Sequence, residues 1–275
     1  MARRTAETSA PHQPAGAAPA FDLASEHPLR VLVAEDSHVN QIVLRAHLER
    51  VGYHPDLVGD GAEAIEAVLR QPYDLVLVDS HMPGVDGITA TREILARLAP
   101  ERRPAIVSLS ADLGEADQRA AREAGMVAHL AKPLVAERLV EVLRSVRPLV
   151  GDSRAHVKPS AGPTEEAVTR VDLELLGGYD EGQQAQLAQL FLAEARENLT
   201  EIVAAAARDD GAAFAQAAHR FLSATLIVGV PPLSEHLRHA ESAARAGASD
   251  LGDLAEQAAE LFAAVEREFE QRLRA

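Results

Sequence analysis

Residues 74–98 of the chain read DLVLVDSHMPGVDGITATREILARL and contain a strand, a loop and a helix in close succession. The strand, DLVLVD, is apolar along its length and ends in Asp79. Continuous rather than alternating hydrophobicity is typical of a strand buried on both faces of a parallel sheet. A loop and a helix follow within Met82–Leu98, so the stretch predicts one strand-to-helix unit of an α/β fold.

Similar units occur on both sides of this stretch. Five short strands alternate with five helices, and the strands are predicted at 29–34, 53–58, 74–79, 105–109 and around 129–130. This alternation predicts a five-stranded parallel sheet with helices on both faces. Pro55 places the second strand at an edge. Because ligands of such sheets bind beyond the carboxyl ends of the strands, the loops after the strands are where we expect the chemistry.

The rest of the chain divides into three further segments. Residues 1–27 are rich in Ala, Pro and polar residues and are predicted to be a disordered tail, so the α/β domain covers 28–147. Residues 148–170 contain Pro and Gly without apolar periodicity and are predicted to be a linker. Residues 171–275 carry long amphipathic helices with short connections, which predicts an all-α four-helix bundle.

Composition excludes several classes of function. The formal net charge is −15, and the sequence from Thr169 onward holds nine Arg, no Lys and eighteen acidic residues. Such a surface disfavours nucleic acid and anionic membranes as partners. The absence of Cys excludes disulfides and thiolate chemistry. No apolar run reaches the ~20 residues that a membrane helix needs. We therefore expect a soluble, acidic, cytoplasmic protein.

Polar residues stand where four of the predicted strands end. Glu35 and Asp36 follow the first strand, Asp79 ends the third, Ser110 follows the fourth and Lys132 follows the fifth. Clustered carboxylates repel one another, and Mg²⁺ relieves this because it prefers oxygen ligands. A lysine beside them adds a positive charge that can hold a phosphoryl oxygen. A carboxylate nucleophile, a metal, an ammonium group and a hydroxyl together predict phosphoryl transfer onto a carboxylate.

The motifs at these strand ends resemble those of response-regulator receiver domains, in particular the type attached to hybrid histidine kinases. The matching stretches are VLVAEDSHVNQ (31–41), LVLVDSHMPGVDGITATREI (75–94), IVSLSA (106–111) and HLAKPL (129–134). The resemblance implies a flavodoxin-like fold with Asp79 as the phosphoacceptor. It also implies that Asp36 and Asp79 bind Mg²⁺ together with the backbone carbonyl of His81, and that Glu35 helps through water.

The same resemblance assigns the remaining strand-end residues. Ser110 and Lys132 would contact the phosphoryl group, and Pro133 would follow a cis peptide bond. His129 stands where the family has its switch aromatic residue, and Asn40 matches a position common in hybrid-type receivers. A haloacid-dehalogenase phosphatase also uses an Asp nucleophile, but it needs a second Asp at position 81, which is His here. No glycine-rich nucleotide loop is present, so the phosphoryl group would come from a partner.

The bundle offers one candidate residue, His219, in the stretch AAHRFLSATLIVGV (217–230). Helical spacing places His219 at the edge of the apolar face or outside it, where an exposed, largely neutral imidazole is a usable nucleophile. The region resembles a histidine-containing phosphotransfer (Hpt) domain with His219 as acceptor. It departs from that family at Leu222 and Ser223, where Lys and Gly are usual, and Arg220 is expected on a different face.

Two functions are therefore predicted from the sequence. In the first, a sensor histidine kinase phosphorylates Asp79, and His219 exchanges phosphoryl groups with Asp79 or with another receiver or Hpt protein. Such a protein is a signalling phosphoacceptor rather than an enzyme, with self-catalysed phosphorylation and dephosphorylation of Asp79. In the second, the chain is a receiver-controlled adaptor whose degenerate bundle docks on a kinase or regulator without being phosphorylated. A DNA-binding regulator is disfavoured by the acidic bundle.

Overall fold

The structure, a computed structural model, describes residues 22–111, 115–149 and 181–274. Its first domain contains the strands β1 Val31–Ala34, β2 Asp56–Val58, β3 Leu75–Asp79, β4 Ala105–Ser110 and β5 Ala128–Ala131. The helices around the sheet are α1 Leu23–Glu26, α2 His38–Glu49, α3 Gly61–Arg70, α4 Gly87–Arg97, α5 Glu115–Ala124 and α6 Ala136–Ser145, with a 3₁₀ turn at Pro100–Arg102. The second domain contains α7 Glu181–Ala207, α8 Gly211–Val228, α9 Pro231–Arg245 and α10 Leu251–Arg274.

The five strands form one parallel sheet in the order β2-β1-β3-β4-β5. Every residue of β1 and β3 is buried, which accounts for their continuous apolar sequences. Two separate apolar clusters cover the sheet: Leu32 and Val76 belong to one, and Val33 and Leu77 to the other. The predicted flavodoxin-like sheet with helices on both faces is confirmed.

Helix starts and one glycine fix the loops beyond the carboxyl ends of the strands. Ser37 caps α2 by accepting a hydrogen bond from the backbone N–H of Asn40 at 3.2 Å. This N-cap satisfies one of the free backbone donors of the first turn. Gly87 opens α4 directly beneath the end of β3, where an added Cβ would lie 2.1 Å from the backbone oxygen of Asp79. Only glycine therefore lets α4 approach the end of β3 this closely.

The second domain is an all-α bundle, as predicted. Its core contains the buried aromatic residues Phe191, Phe214, Phe221, Phe262 and Phe269 together with Leu and Ala side chains from all four helices. Gly229, with a φ of 65°, ends α8 in the left-handed conformation, and Pro231 opens α9. A glycine after the last turn and a proline in the next first turn are the expected boundary signals between two helices.

The predicted boundaries need one correction. Residues 22–27 are predicted to belong to the disordered tail, but Leu23–Glu26 form α1, whose Leu23 is buried in the core of the first domain. Tyr53 Oη donates a 2.5 Å hydrogen bond to the backbone oxygen of His27 and ties the segment to the sheet. Residues 1–21 of the predicted tail, the predicted linker from 150 onward and the predicted start of the bundle before 181 lie outside the described residues.

Within the part of the chain that the structure describes, no helix is both long and apolar enough to cross a membrane.

Candidate functional site

Three carboxylates meet beyond the carboxyl ends of β1 and β3, as the sequence predicts. Glu35 and Asp36 follow β1 and Asp79 ends β3, and one carboxylate oxygen of each lies within 4.8 Å of the others. Asp79 and Glu35 are completely buried, and Asp36 is half-buried. Burial raises the pKa of Glu35 to about 8 and that of Asp36 to about 6, and the charge on Asp79 adds to both shifts.

Lys132 lies in the same cluster, at the end of β5. Its Nζ contacts Asp79 and lies 2.8 Å from Glu35 Oε2. Burial alone would lower the pKa of the lysine, but the two carboxylates outweigh it and raise that pKa above its ordinary value. For Asp79 burial acts in the opposite direction and would raise the pKa, but the positive charges of Lys132 and His219 bring that pKa below the usual range. The peptide bond between Lys132 and Pro133 is cis.

The cluster contains oxygen donors that fit Mg²⁺. Three carboxylates face one lysine, and Asp36 Oδ2 is buried without a hydrogen-bond partner in the described part of the chain. An orphaned buried carboxylate oxygen beside two further carboxylates is what a hard divalent cation would satisfy. Asn40 holds Glu35 in place, since its Nδ2 donates a 2.6 Å hydrogen bond to Glu35 Oε1.

Two further residues singled out in the sequence lie on β4 and β5. Ser110 is buried at the end of β4, and its backbone oxygen accepts a 2.8 Å hydrogen bond from the backbone N–H of Lys132. His129 on β5 is half-buried, and its Nδ1 lies 3.2 Å from Ser108 Oγ, which in turn lies 2.8 Å from Ser80 Oγ. The hydroxyls of Ser80 and Ser108 thus connect the residue after Asp79 to His129. This connection was not predicted from the sequence.

His219 lies in the middle of α8 and is held by a carboxylate. Its Nδ1 lies 2.9 Å from Glu241 Oε1 on α9, and Arg245 contacts the same oxygen at 2.7 Å. Burial would raise the pKa of Glu241, but His219 and Arg245 lower it, so Glu241 is charged. Sequence reasoning missed Glu241. The signal was present, because Glu241 directly follows Ala240 on the apolar face of α9, where an acidic residue needs a partner.

The expectation that His219 is exposed is wrong. Its residue exposure is 3%, because the first domain covers it. The rings of His219 and His81 lie with their centroids 4.5 Å apart, and a nitrogen from each ring and an oxygen of Asp79 lie within 4.8 Å of one another. His219 Nε2 is buried and has no hydrogen-bond partner among the described residues. The position of His219 on α8 is as predicted, but the helix pattern contains no information about the docked domain.

Apolar side chains of both domains form the surrounding interface. Val39 and Val43 of α2 belong to the same buried cluster as the core of the bundle, which includes Leu222. The backbone N–H of Val39 also donates a 3.3 Å hydrogen bond to Glu194 on α7. A crevice beside Lys132 and Pro133 is closed from the bundle side by Ile227. Leu222, which replaces the usual lysine, is 1% exposed and contributes to this apolar region.

Arg220 also borders the docked first domain. It pairs with Glu201 of α7 and lines a crevice between the domains together with Asp36 and Gln216. The guanidinium is close enough to Asp36 to oppose the rise in the pKa of that carboxyl. The sequence predicts only that Arg220 lies on a different face of α8 from His219, because the helix pattern describes the bundle alone. In the docked arrangement Arg220 brings positive charge to the edge of the acidic cluster.

Comparisons with known proteins assign both regions of the chain. Residues 31–144 match the response regulator receiver domain, and residues 186–273 match the Hpt domain. The sensor protein GacS of Pseudomonas syringae pv. syringae is 32% identical over 225 residues, which cover 78% of this chain and 24% of GacS. The aerobic respiration control sensor protein ArcB of Escherichia coli K12 is 32% identical over 151 residues, 55% of this chain and 19% of ArcB. The chain thus spans a quarter or less of the length of these relatives.

Solved structures resemble the first domain. The receiver domain of the sensor histidine kinase PA1611 from Pseudomonas aeruginosa PAO1, solved with a magnesium ion coordinated in its active site cleft, is 40% identical. The match covers 42% of this chain and 94% of the PA1611 receiver domain structure, with a TM-score of 0.40. The two family matches agree with the observed fold, a parallel sheet followed by a helical bundle. The chain therefore carries a response regulator receiver domain over residues 31–144, followed by an Hpt domain over residues 186–273.

Proposed function

We propose that this chain is a phosphorelay protein of a two-component system in which Asp79 accepts a phosphoryl group and exchanges it with His219. The observation that carries the proposal is the meeting of the two side chains across the domain interface, with a ring nitrogen of His219 and an oxygen of Asp79 within 4.8 Å. A single phosphoryl group can lie between two atoms this far apart, as in-line transfer requires. The similarity to sensor kinases supports a sensor histidine kinase as the donor.

Asp79 is the proposed nucleophile in the first step. One of its carboxylate oxygens attacks the phosphorus of a phosphohistidine on the kinase, the P–N bond breaks, and the electron pair returns to the departing imidazole. Lys132, already in contact with Asp79, supplies a fixed positive charge for the phosphoryl oxygens. Ser110, buried at the end of the adjacent strand, is proposed to donate a hydrogen bond to the same group.

Mg²⁺ is the proposed cofactor of this step. Asp36 and Asp79 would hold the ion together with the backbone carbonyl of His81, and Glu35 would take part through water. When bound, the ion supplies positive charge that offsets the charge of the phosphoryl oxygens. The orphaned oxygen of Asp36 and the surplus of carboxylates over lysine support this assignment.

His219 is the proposed partner of Asp79 in the second step. Its Nε2 attacks the phosphorus of phosphorylated Asp79, the P–O bond breaks, and the electron pair remains on the carboxylate. This attack requires a lone pair at Nε2 and therefore a proton at Nδ1. Glu241 supports that tautomer because its carboxylate accepts a hydrogen bond from the Nδ1 proton. The reverse transfer uses the same atoms.

Exchange with outside partners follows from the same geometry. Asp79 and His219 are both buried in the interface, so a kinase, another receiver or another Hpt protein reaches them only when the domains separate. Asp79 is also proposed to catalyse its own phosphorylation from small donors and its own dephosphorylation by water. Since a histidine kinase draws its phosphoryl group from ATP, we place this exchange in the cytoplasm. The pairing of Asp79 with His219 supports a relay over an adaptor whose bundle takes no phosphoryl group.

The test uses the full-length protein with Mg²⁺ and ³²P-labelled acetyl phosphate. We expect label on Asp79 as a base-labile acyl phosphate and then on His219 as an acid-labile, base-stable phosphoramidate. Asp79→Asn is expected to remove both labels, and His219→Ala only the second. Asp253→Asn and His54→Ala change exposed residues of the same types and keep both. Absence of base-stable label from the wild type, or its persistence in His219→Ala, contradicts the relay.

A further inference from the structure

Two imidazole nitrogens and a carboxylate face one another where the domains meet. One ligand atom each from Asp79, His81 and His219 lies within 4.8 Å of the other two. His219 Nε2 and His81 Nδ1 are both buried, and neither has a hydrogen-bond partner in the residues that the structure describes. A buried imidazole nitrogen without a partner is unusual, because burying a polar atom costs free energy that a bound group can recover.

The donor set differs from that of the neighbouring magnesium site. Glu35, Asp36 and Asp79 offer only oxygen, which suits Mg²⁺, whereas two imidazoles with one carboxylate suit zinc and similar transition metals. Zn²⁺ takes such ligands at about 2.0–2.2 Å. Binding therefore requires small rotations that bring the three side chains closer together. The remaining coordination positions would be filled by water.

The surroundings of His219 are those of a metal-binding histidine. Its Nδ1 is held by the carboxylate of Glu241 at 2.9 Å, and Arg245 holds that carboxylate in turn. Histidines that bind metals commonly donate their second ring N–H to a carboxylate, which fixes the ring and makes the free nitrogen a better ligand. On the opposite side, Asp79 Oδ1 accepts a 3.0 Å hydrogen bond from the backbone N–H of His81, which holds this carboxylate against the main chain of His81.

We propose that Asp79, His81 and His219 form a binding site for a divalent transition-metal ion of the zinc type, which bridges the receiver domain and the Hpt domain. The ion takes the lone pair of His219 Nε2 and an oxygen of Asp79, the two atoms between which the phosphoryl group moves. Metal binding and phosphotransfer therefore exclude each other, and the ion holds the domains together in a state without transfer. The exclusion rests on the proposed phosphorelay function, whereas the binding site rests on the geometry alone.

Metal binding to the full-length protein tests the site directly. Zn²⁺ affinity is measured by calorimetry in excess Mg²⁺, and Co²⁺ absorption reports the coordination. We expect one ion per chain at this site, and affinity lower by about tenfold or more in His81→Ala and in His219→Ala. His54→Ala removes a histidine whose side chain is 83% exposed and is expected to keep the wild-type affinity. Circular dichroism confirms that each variant is folded. Equal affinity in His81→Ala and His54→Ala would overturn the site.

The exclusion is tested separately by phosphotransfer. Zn²⁺ is expected to slow the appearance of label on His219 in the wild type and in His54→Ala, and a zinc-selective chelator is expected to restore it. If Zn²⁺ binds through His81 and His219 yet leaves transfer unchanged, the exclusion is wrong. If His219 takes no label under any condition, the relay fails while the calorimetric result still decides the metal site.

Discussion

The imidazole rings of His81 and His219 lie with their centroids 4.5 Å apart and their planes inclined by 51°, one ring from each domain. His81 belongs to the loop that follows Asp79, and His219 is the candidate acceptor of the bundle. The contact therefore encloses both proposed phosphoacceptors, Asp79 and His219, between the two domains, where neither is open to solvent. Opening and closing of this interface would decide whether the protein exchanges phosphoryl groups within the chain or with a partner.

The first prediction concerns Ile227, which faces the receiver domain beside Lys132 and Pro133. Ile227→Asp places a charge in this apolar contact, and burying an unpaired charge is costly, so the domains are expected to separate. Transfer from Asp79 to His219 is expected to slow by about tenfold or more, the rate equivalent of about 1.4 kcal/mol. Labelling of Asp79 by acetyl phosphate is measured in the same samples and is expected to continue.

Val203→Asp is the matched control for this variant. Val203 also lies on the bundle, but it is 48% exposed, so the same substitution there is expected to leave both reactions unchanged. Small-angle scattering provides a second measurement and is expected to show a larger radius of gyration for Ile227→Asp alone. Unchanged transfer in Ile227→Asp would show that the contact is dispensable.

The second prediction concerns Glu241, a positioning residue that acts through His219. Removing its carboxylate leaves the Nδ1–H without an acceptor, which costs about 1.5–3 kcal/mol for a hydrogen bond to a charged group. Glu241→Ala is therefore expected to slow transfer to His219 by about 10–100-fold. Glu241→Gln keeps an acceptor oxygen and is expected to retain most of the rate. Glu235→Ala, an exposed change on the same helix, serves as control.

Nitrogen NMR separates positioning from a general loss of structure. We expect the His219 resonances of the wild type and of Glu241→Gln to report a proton on Nδ1, and those of Glu241→Ala to report a mixture of tautomers. A slow Glu241→Ala variant with an unchanged tautomer would contradict the positioning role.

The alternating strands and helices of the receiver domain were predictable because each strand-to-helix unit contains its own apolar strand and its own helix-start residues. Continuous apolar strands such as Leu75–Asp79 require burial on both faces, and the flanking helices begin at side-chain caps. The acidic cluster followed, since parallel strands bring their carboxyl ends to the same edge. The helix within residues 22–27 was missed because only Leu23 and Ala24 of this short segment are apolar.

The domain interface was not predictable from local patterns. The spacing around His219 describes one helix and its own bundle, so it predicts an exposed edge for this side chain and only a different face for Arg220. The prediction of exposure fails because the first domain covers His219, and the same domain brings Asp36 to the crevice that Arg220 lines. Leu222 contained a partial signal. An apolar residue where the Hpt family has lysine indicates a surface that is covered, and the structure buries it in the shared apolar cluster.

The third prediction concerns the stability that Lys132 provides. Its ammonium lies against Asp79 and Glu35, and all three groups are buried. Lys132→Met leaves two carboxylates without their cation, and removal of one partner from a buried pair costs about 3–5 kcal/mol. Urea unfolding is expected to show a loss of this size. Arg97→Met breaks the exposed pair between Arg97 and Glu93 and is expected to cost only about 0.2–1 kcal/mol. Equal losses in the two variants would contradict the pairing.

The fourth prediction concerns pH. Burial raises the pKa of Glu35 to about 8 and that of Asp36 to about 6, from ordinary values of 4.5 and 3.8. Between these ordinary values and pH 8 the folded protein binds more protons at these sites than the unfolded chain does. The contribution of both groups to the free energy of unfolding is therefore largest at low pH and is lost as the pH rises through about 6 and then about 8.

Mg²⁺ binding is expected to show the opposite trend, because the ion needs the carboxylates deprotonated. If one proton is displaced for each Mg²⁺ bound, the Mg²⁺ affinity rises by about tenfold per pH unit below the pKa of the carboxyl group that loses the proton. Calorimetry between pH 6 and 8 measures this slope, since Asp36 and Glu35 titrate near the two ends of that range. Glu35→Gln removes the group that titrates highest and is expected to flatten the dependence toward pH 8, whereas the exposed Glu66→Gln is expected to leave it unchanged. A slope in Glu35→Gln equal to that of the wild type would show that Glu35 stays ionised throughout and takes no part in the proton release.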